Sequence, residues 1–208
     1  HRELADISGG EPMNAAANAL HTKAHARMKN EKYYTPAWVT EVLLSRARFS
    51  HVVWEPAAGA GDMARVIDAF NYQVKASDIA PEHPLVVEHD FLSTLAAPAA
   101  DIVTNPPFGT QGRLAVKFAE RALAHTKLHG GRVALLLRDD FDSAGGRHHL
   151  FGDCPAFHHK LVLTTRIRWV NLPQMEAGPS GNHAWFLWDW TRDAGMATVS
   201  YASDGPPE

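Results

Sequence analysis

Four consecutive residues, Asn105-Pro106-Pro107-Phe108, are of types suited to handling a weakly nucleophilic nitrogen. An exocyclic amine on an aromatic ring, such as adenine N6, has its lone pair delocalised into the ring. Two hydrogen-bond acceptors around its N–H groups favour a tetrahedral, more nucleophilic nitrogen. The side-chain oxygen of Asn105 is one candidate acceptor and the backbone carbonyl of Pro106 is the other. Two prolines stiffen the loop, since each fixes φ and neither offers a donor. Phe108 presents a face that can stack on a substrate ring, and Gly109 lets the chain turn sharply behind it. A group would pass directly to nitrogen with no covalent enzyme intermediate, and the gain would come from orientation and electrostatics. The plain alternative is a rigid surface loop. Against it, this Asn follows an apolar run, Ile102-Val103-Thr104, and the stretch closes on aromatic-Gly.

Three carboxylates share that placement. Glu55, Asp78 and Asp90 each come directly after a strand-like apolar run. Glu55-Pro56 leads into Gly59-Ala60-Gly61-Asp62-Met63-Ala64, which fits the dinucleotide pattern G-x-G-x-x-G/A. Glycines there let a ligand approach the backbone and leave a helix N-terminus free. A nicotinamide or flavin is therefore one reading, and a tight turn with no ligand is another. Asp78 lies 17 residues beyond Gly61, where a carboxylate can accept from both ribose hydroxyls, and it suits either cofactor type. Glu55 fits the cationic end of an amino-acid-bearing cofactor better than a pyrophosphate. Asp90-Phe91 fits an adenine, with the acid accepting from its amino group and the ring packing on the base. Taken alone, Asp90 also reads as a turn or cap residue.

The elements that must hold these residues alternate. His51 to Trp54 reads as a strand, and Met63, Val66, Ile67 and Phe70 recur as one face of a helix. Gln73–Ala76, Leu85–Val87 and Asp101–Thr104 read as further strands. Leu114, Phe118 and Ala122 mark a helix ended by Gly130-Gly131. Arg132–Leu137 is a buried fifth strand, and Leu161–Thr165 and His183–Trp188 are two closing ones. Thr35 reads as the N-cap of an earlier helix with Pro36 at its first position. This order implies an α/β fold, a mostly parallel sheet of seven strands with helices on both faces. Such sheets bind ligands at the carboxyl ends of their strands, where Glu55, Asp78, Asp90 and Asn105 fall.

Together these motifs resemble the N6-adenine branch of the class I S-adenosylmethionine-dependent methyltransferases, in the motif order of small stand-alone phage or prophage enzymes. Tyr34-Thr35-Pro36 resembles the N-terminal cofactor motif and Glu55 to Gly61 the first glycine motif. Asp78-Ile79 resembles the ribose acid, Asp90-Phe91 the adenine pair and Asn105 to Phe108 the catalytic motif. The likeness spans roughly residues 33–190. It extends to Arg147 with Leu150-Phe151, to Arg166-Ile167-Arg168-Trp169, and to His183-Ala184-Trp185-Phe186-Leu187-Trp188. It implies a Rossmann-like fold with S-adenosylmethionine as cofactor. Tyr34, Thr35, Glu55, Ala57, Gly59, Gly61, Asp78, Ile79, Asp90, Phe91 and Asn105 would hold that cofactor, and Asn105, Pro106, Pro107 and Phe108 would carry the reaction. Protein-glutamine methyltransferases use the same Asn-Pro-Pro-aromatic device, and RNA adenine fits it equally. A methyltransferase-like module that only binds nucleic acid or a partner is a third reading.

Length and composition agree with one catalytic unit. The 208 residues suit a single sizeable core. We expect a loose tail and a peripheral helix over 1–32, the catalytic domain over 33–192 and a short tail over 193–208. With no separate target-recognition domain expected, specificity comes from loops 110–113, 141–149 and 172–182, is low, or is supplied by a specificity partner; a homodimer is the other assembly expected. One cysteine, Cys154, excludes an internal disulfide and a multi-cysteine zinc site, and no run is apolar enough for a membrane span. A reducing cytoplasm is expected, without membrane or metal. Net charge is −3, but residues 101–170 carry ten Lys/Arg against six Asp/Glu. That segment would attract phosphate, with DNA the expected partner and Arg113, Arg138, Arg147, Arg166 and Arg168 the candidate contacts. His148-His149 and His158-His159 lack the spacing of a metal set and read as basic surface. Trp185, Trp188 and Trp190 read as sheet packing.

Overall fold

The computed structural model describes residues 33–169 and 181–203. The helix expected over 13–28, the N-terminal tail and most of loop 172–182 lie outside the described residues. Among the described residues three helices, α1 (Ala37–Arg46), α2 (Asp62–Ala69) and α3 (Arg113–His129), surround one sheet. Its strands are β1 (Val52–Glu55), β2 (Gln73–Asp78), β3 (Val87–Glu88), β4 (Asp101–Thr104), β5 (Arg132–Arg138), β6 (Phe157–Leu163), β7 (His183–Asp189) and β8 (Thr198–Ala202). They lie side by side in the order β3-β2-β1-β4-β5-β7-β6-β8. β7 runs antiparallel to both its neighbours, and every other pairing is parallel.

The sheet has eight strands where seven are expected. The additional one, β8, lies in the segment expected to be a tail, pairs in parallel with β6 and forms the edge of the sheet. Its Val199 and Tyr201 are exposed, so it has little of the apolar signature that marks the buried strands. β3 is reduced to two residues, both exposed. Thr35 does not cap α1. Pro36 occupies the cap position without a side-chain bond, and the Thr35 hydroxyl is engaged elsewhere.

Alternation along the buried strands builds a core on each face. Val133, Leu135 and Leu137 of β5 join Trp54, Phe118 and Ala122 under α3. Ala134 and Leu136 join Val53, Leu43, Met63 and Ile67 under α1 and α2. The three tryptophans expected in packing serve there, and each indole N–H has a partner: Val39 O for Trp185, Leu150 O for Trp188 and Thr126 Oγ1 for Trp190. With both faces covered, the strand ends are what the sheet leaves for ligands. β1, β2, β4 and β5 end on one side at Glu55, Asp78, Thr104 and Arg138.

Candidate active site

At those carboxyl ends lies a cleft of about 910 Å³, open solvent included. Its walls bring together Tyr34, Thr35, Glu55, Ala57, Gly59 and Asp78 with Ile79, Asp90, Phe91, Asn105, Pro106 and Pro107. These residues are far apart in the chain, and the ends of β1, β2, β3 and β4 deliver all of them but Tyr34 and Thr35, which precede α1.

Asp78 is fixed by the glycine turn. Its Oδ2 accepts the Gly59 N–H at 2.8 Å and its Oδ1 accepts the Ala80 N–H at 2.8 Å. Each oxygen keeps lone-pair capacity for a further donor. Gly59 adopts φ +52° in this turn, and next to Asp78 the side chain of Ile79 is 62% exposed at the cleft. Gly61 does not line the cleft. It is buried at φ +80°, closes the turn through a bond from its N–H to Ala58 O, and caps α2.

Glu55 is the electrostatic centre of the cleft. It is buried, yet its Oε2 has no hydrogen-bond partner. Burial pushes its pKa up to about 8. The Ala64 backbone N–H partly offsets that rise, and the Asp62 and Asp78 charges add to it. A buried carboxyl without a cation is costly, and a ligand bearing one removes the cost.

Asp90 caps a short 3-10 turn, Phe91–Ser93, its Oδ1 accepting the Leu92 N–H at 3.0 Å. The cap reading and the cleft reading hold together, because the capped turn presents Asp90 to the cleft. Phe91 is buried against Trp54 and Phe118, at ring distances of 5.1 and 4.8 Å.

Asn105 is half-buried and its Nδ2 donates to Thr35 Oγ1 at 3.1 Å. In this orientation Oδ1 is left as the acceptor. Tyr34 O–H donates to Glu82 Oε2 at 2.5 Å, holding the segment before α1 against the loop after β2. Phe108 does not line the cleft. Its half-buried ring meets the edge of His183 at 6.4 Å, and His183 meets Trp169, which meets Tyr33. Burial, then the Arg138 charge, lowers the His183 pKa to about 4, so this aromatic run is neutral.

Gly109 joins the loop to α3. It sits at φ +66°, ψ −177°, a region nearly exclusive to glycine, and an added Cβ would lie 2.6 Å from Leu114 Cβ. Gly109→Ala is expected to cost about 1–3 kcal/mol and to lower Tm by several degrees in a thermal melt. An unchanged Tm would mean that the loop finds another conformation at no cost.

The basic residues do not gather at this cleft. Arg138 is held bidentately by Asp140. Arg147 packs on the Phe141 ring at 3.8 Å and donates to Phe141 O and Gln111 O, so it braces the loops. Arg113 bonds Gln111 and Arg166 bonds Asn182, both at the surface, and Arg168 is exposed. His148 and His149 pair with Asp153 and Glu120. Among the described residues no three His, Cys, Asp or Glu side chains form a metal-holding group, and no helix is long and apolar enough to cross a membrane.

Several cleft residues went unmarked by the sequence: Tyr33, Asp62, Met63, His89, Leu92, Leu114 and Phe118. Most belong to helical segments whose apolar spacing signals core and nothing more. Asp62, next to Gly61, had a local signal.

No protein-family model matches this chain, and no curated protein matches its sequence. Solved structures do match. A Listeria monocytogenes protein assigned to the class I S-adenosylmethionine-dependent methyltransferases superposes with a TM-score of 0.59 at 13% identity, covering 91% of this chain and 71% of its own. A modification subunit assigned to a type I restriction enzyme of Vibrio vulnificus gives 0.57 at 15%, covering 93% and 51%. A Pyrococcus horikoshii protein assigned as an RNA methyltransferase gives 0.59 at 16%, covering 77% and 87%. The chain thus spans about half the length of the restriction-modification subunit. At these identities the likeness establishes the fold, a Rossmann-like α/β fold shared with class I methyltransferases.

Proposed function

We propose that this chain is an S-adenosylmethionine-dependent methyltransferase acting on the N6 amino group of adenine in DNA. The observation that carries the reading is the shared cleft, where Asn105-Pro106-Pro107 faces the same space as Glu55, Asp78 and Asp90. The unpartnered Oε2 of Glu55 is the test of fit. A buried carboxylate lacking a cation suits the ammonium of an amino-acid-bearing cofactor and has no use for a pyrophosphate, which decides against a nicotinamide or flavin. Asp78 has acceptor capacity left for ribose hydroxyls, Asp90 suits an adenine amino group, and the exposed Ile79 suits the face of that adenine.

S-adenosylmethionine would supply an electrophilic methyl group on a sulfonium and leave as a neutral thioether. The chain's own residues prepare the nitrogen. Asn105 Oδ1 and the Pro106 carbonyl accept its two N–H groups and favour the tetrahedral geometry. The same acceptors share the positive charge that develops on nitrogen until one of its protons is released to solvent water. The target base must leave the helical stack to reach this cleft.

Incubation of the chain with labelled S-adenosylmethionine and mixed-sequence DNA is expected to give labelled N6-methyladenine. Label found instead in RNA, or in a glutamine side chain of a protein, would keep the chemistry and overturn the substrate. No calorimetric heat with millimolar cofactor would favour a non-catalytic binding module.

A further inference from the structure

The end of the sheet opposite the cleft holds a second concavity, about 980 Å³ with its open mouth included. β5 and β7 run in opposite directions, with Arg132 beside Asp189 at this end and Arg138 beside His183 at the cleft end. The seven residues of β5 separate the two ends by about 20 Å.

Its lining is cationic. Arg46, Arg48, Arg132 and Arg192 surround it, and Asp189 is the one carboxylate in the wall. Asp189 is committed to Arg132, which also lies near the buried Asp101. Arg46 and Arg48 donate to main-chain carbonyls at the end of α1. With Arg192 they make no ion pair among the described residues, so three guanidinium charges face the space without a counter-charge. His158 and His159 complete the rim. Burial first and the Arg192 charge second lower both their pKa values, with the Asp189 charge opposing the shift at His158. His158 Nδ1 is buried with no partner. The floor is apolar, with the buried Leu187 and the half-buried Phe49, while Met196 stands exposed at the rim.

We infer that this concavity is a second binding site, for a nucleotide-sized ligand whose phosphates meet Arg46, Arg48 and Arg192 and whose ring rests on Phe49. Guanidinium groups that already hold carbonyls are pre-oriented, so little side-chain entropy is lost when a phosphate arrives. A free nucleotide fits better than a nucleic-acid backbone. The site is concave and closed on an apolar floor, and a strand engaged at the cleft would have to wrap the molecule to reach it. Carboxylates elsewhere give the chain a net charge of −3, so the attraction is local to this end.

The test is calorimetric titration of the full chain at low salt with UTP and with tripolyphosphate, probes that lack the adenine of the cleft's expected ligand. UTP is expected to bind saturably and more tightly than tripolyphosphate, unaffected by saturating S-adenosylhomocysteine. Arg192→Glu, an exposed position outside the cleft, is expected to weaken UTP at least about tenfold, as a charge reversal beside a phosphate should. Arg48→Gln, with an unchanged circular dichroism spectrum, is expected to weaken it less. The inference is overturned if UTP fails to bind at millimolar concentration, if Arg192→Glu binds it normally, if S-adenosylhomocysteine displaces it, or if single-stranded DNA displaces it at lower phosphate concentration. None of these readouts requires methyl transfer, so the methyltransferase reading can fail without this one failing, and the reverse.

Discussion

Asn105→Ala is expected to lower kcat for adenine methylation by about 10²–10³-fold, the usual loss when one preorganised dipole is removed from a reacting centre. Cofactor affinity should change far less, within about fivefold, the scale of one neutral hydrogen bond. The two numbers separate because the residue plays two parts. Its Nδ2 bonds Thr35 Oγ1 and thereby steadies the wall before α1, which affects binding. On the proposed reading its Oδ1 accepts from the amine, which would matter most as positive charge grows on nitrogen. The loop itself should survive the truncation. Prolines on the C-terminal side restrict it, and Phe108 O still accepts from Leu114 and Ala115 at the start of α3. Single-turnover methylation and equilibrium cofactor titration on the same variant measure both quantities. A near-normal kcat would place the chemistry elsewhere. An equal loss in binding and in rate would make Asn105 a cofactor residue alone.

The layout of this cleft was legible in the sequence wherever a polar residue interrupts an apolar run. Glu55, Asp78 and Asn105 stand at the ends of β1, β2 and β4, and a parallel sheet with both faces covered must gather such residues at one edge. What escaped depends on long-range packing. Phe118 and Leu114 reach the cleft because α3 lies across β4 and β5, and their spacing reads as core. The run from Phe108 through His183 and Trp169 to Tyr33 joins residues up to 150 positions apart with no shared local pattern. Gly61 satisfied a motif, but its positive φ serves the turn and the α2 cap, not the cleft. The basic excess over 101–170 was counted correctly and given the wrong shape. Chain segments that alternate between the two ends of a sheet distribute their charges to both, so Arg138 lies at the cleft end and Arg132 at the other. β8 escaped because an edge strand with its side chains in water needs no hydrophobic alternation.

A cleft built around a carboxyl that prefers to stay protonated should bind its cofactor more tightly as pH rises. In the free protein Glu55 has a pKa of about 8, so below that pH it is mostly neutral. A cationic amino group on the ligand favours the carboxylate, so binding releases a proton. The dissociation constant is therefore expected to fall up to about tenfold per pH unit between pH 6 and 8, then to level off. Glu55→Gln removes the charge and keeps the shape. It should weaken cofactor binding about 30- to 150-fold, the equivalent of about 2–3 kcal/mol for a hydrogen bond to a charged group. The same variant should be more stable without ligand. The native state holds the Glu55 proton more tightly than the unfolded chain does, so wild-type stability declines from about pH 4.5 upward as the unfolded carboxyl ionises first. The decline is complete near pH 8, where its ceiling is on the order of 5 kcal/mol for a shift of this size. Glu55→Gln has no such term, so its Tm should exceed that of the wild type by most at pH 8 and by little at pH 5. Binding and melting curves across this range read the same ionisation from two sides. A dissociation constant flat from pH 6 to 8.5 would show that Glu55 does not meet a cation. A Tm difference that does not grow with pH would show that it is not buried as a neutral acid.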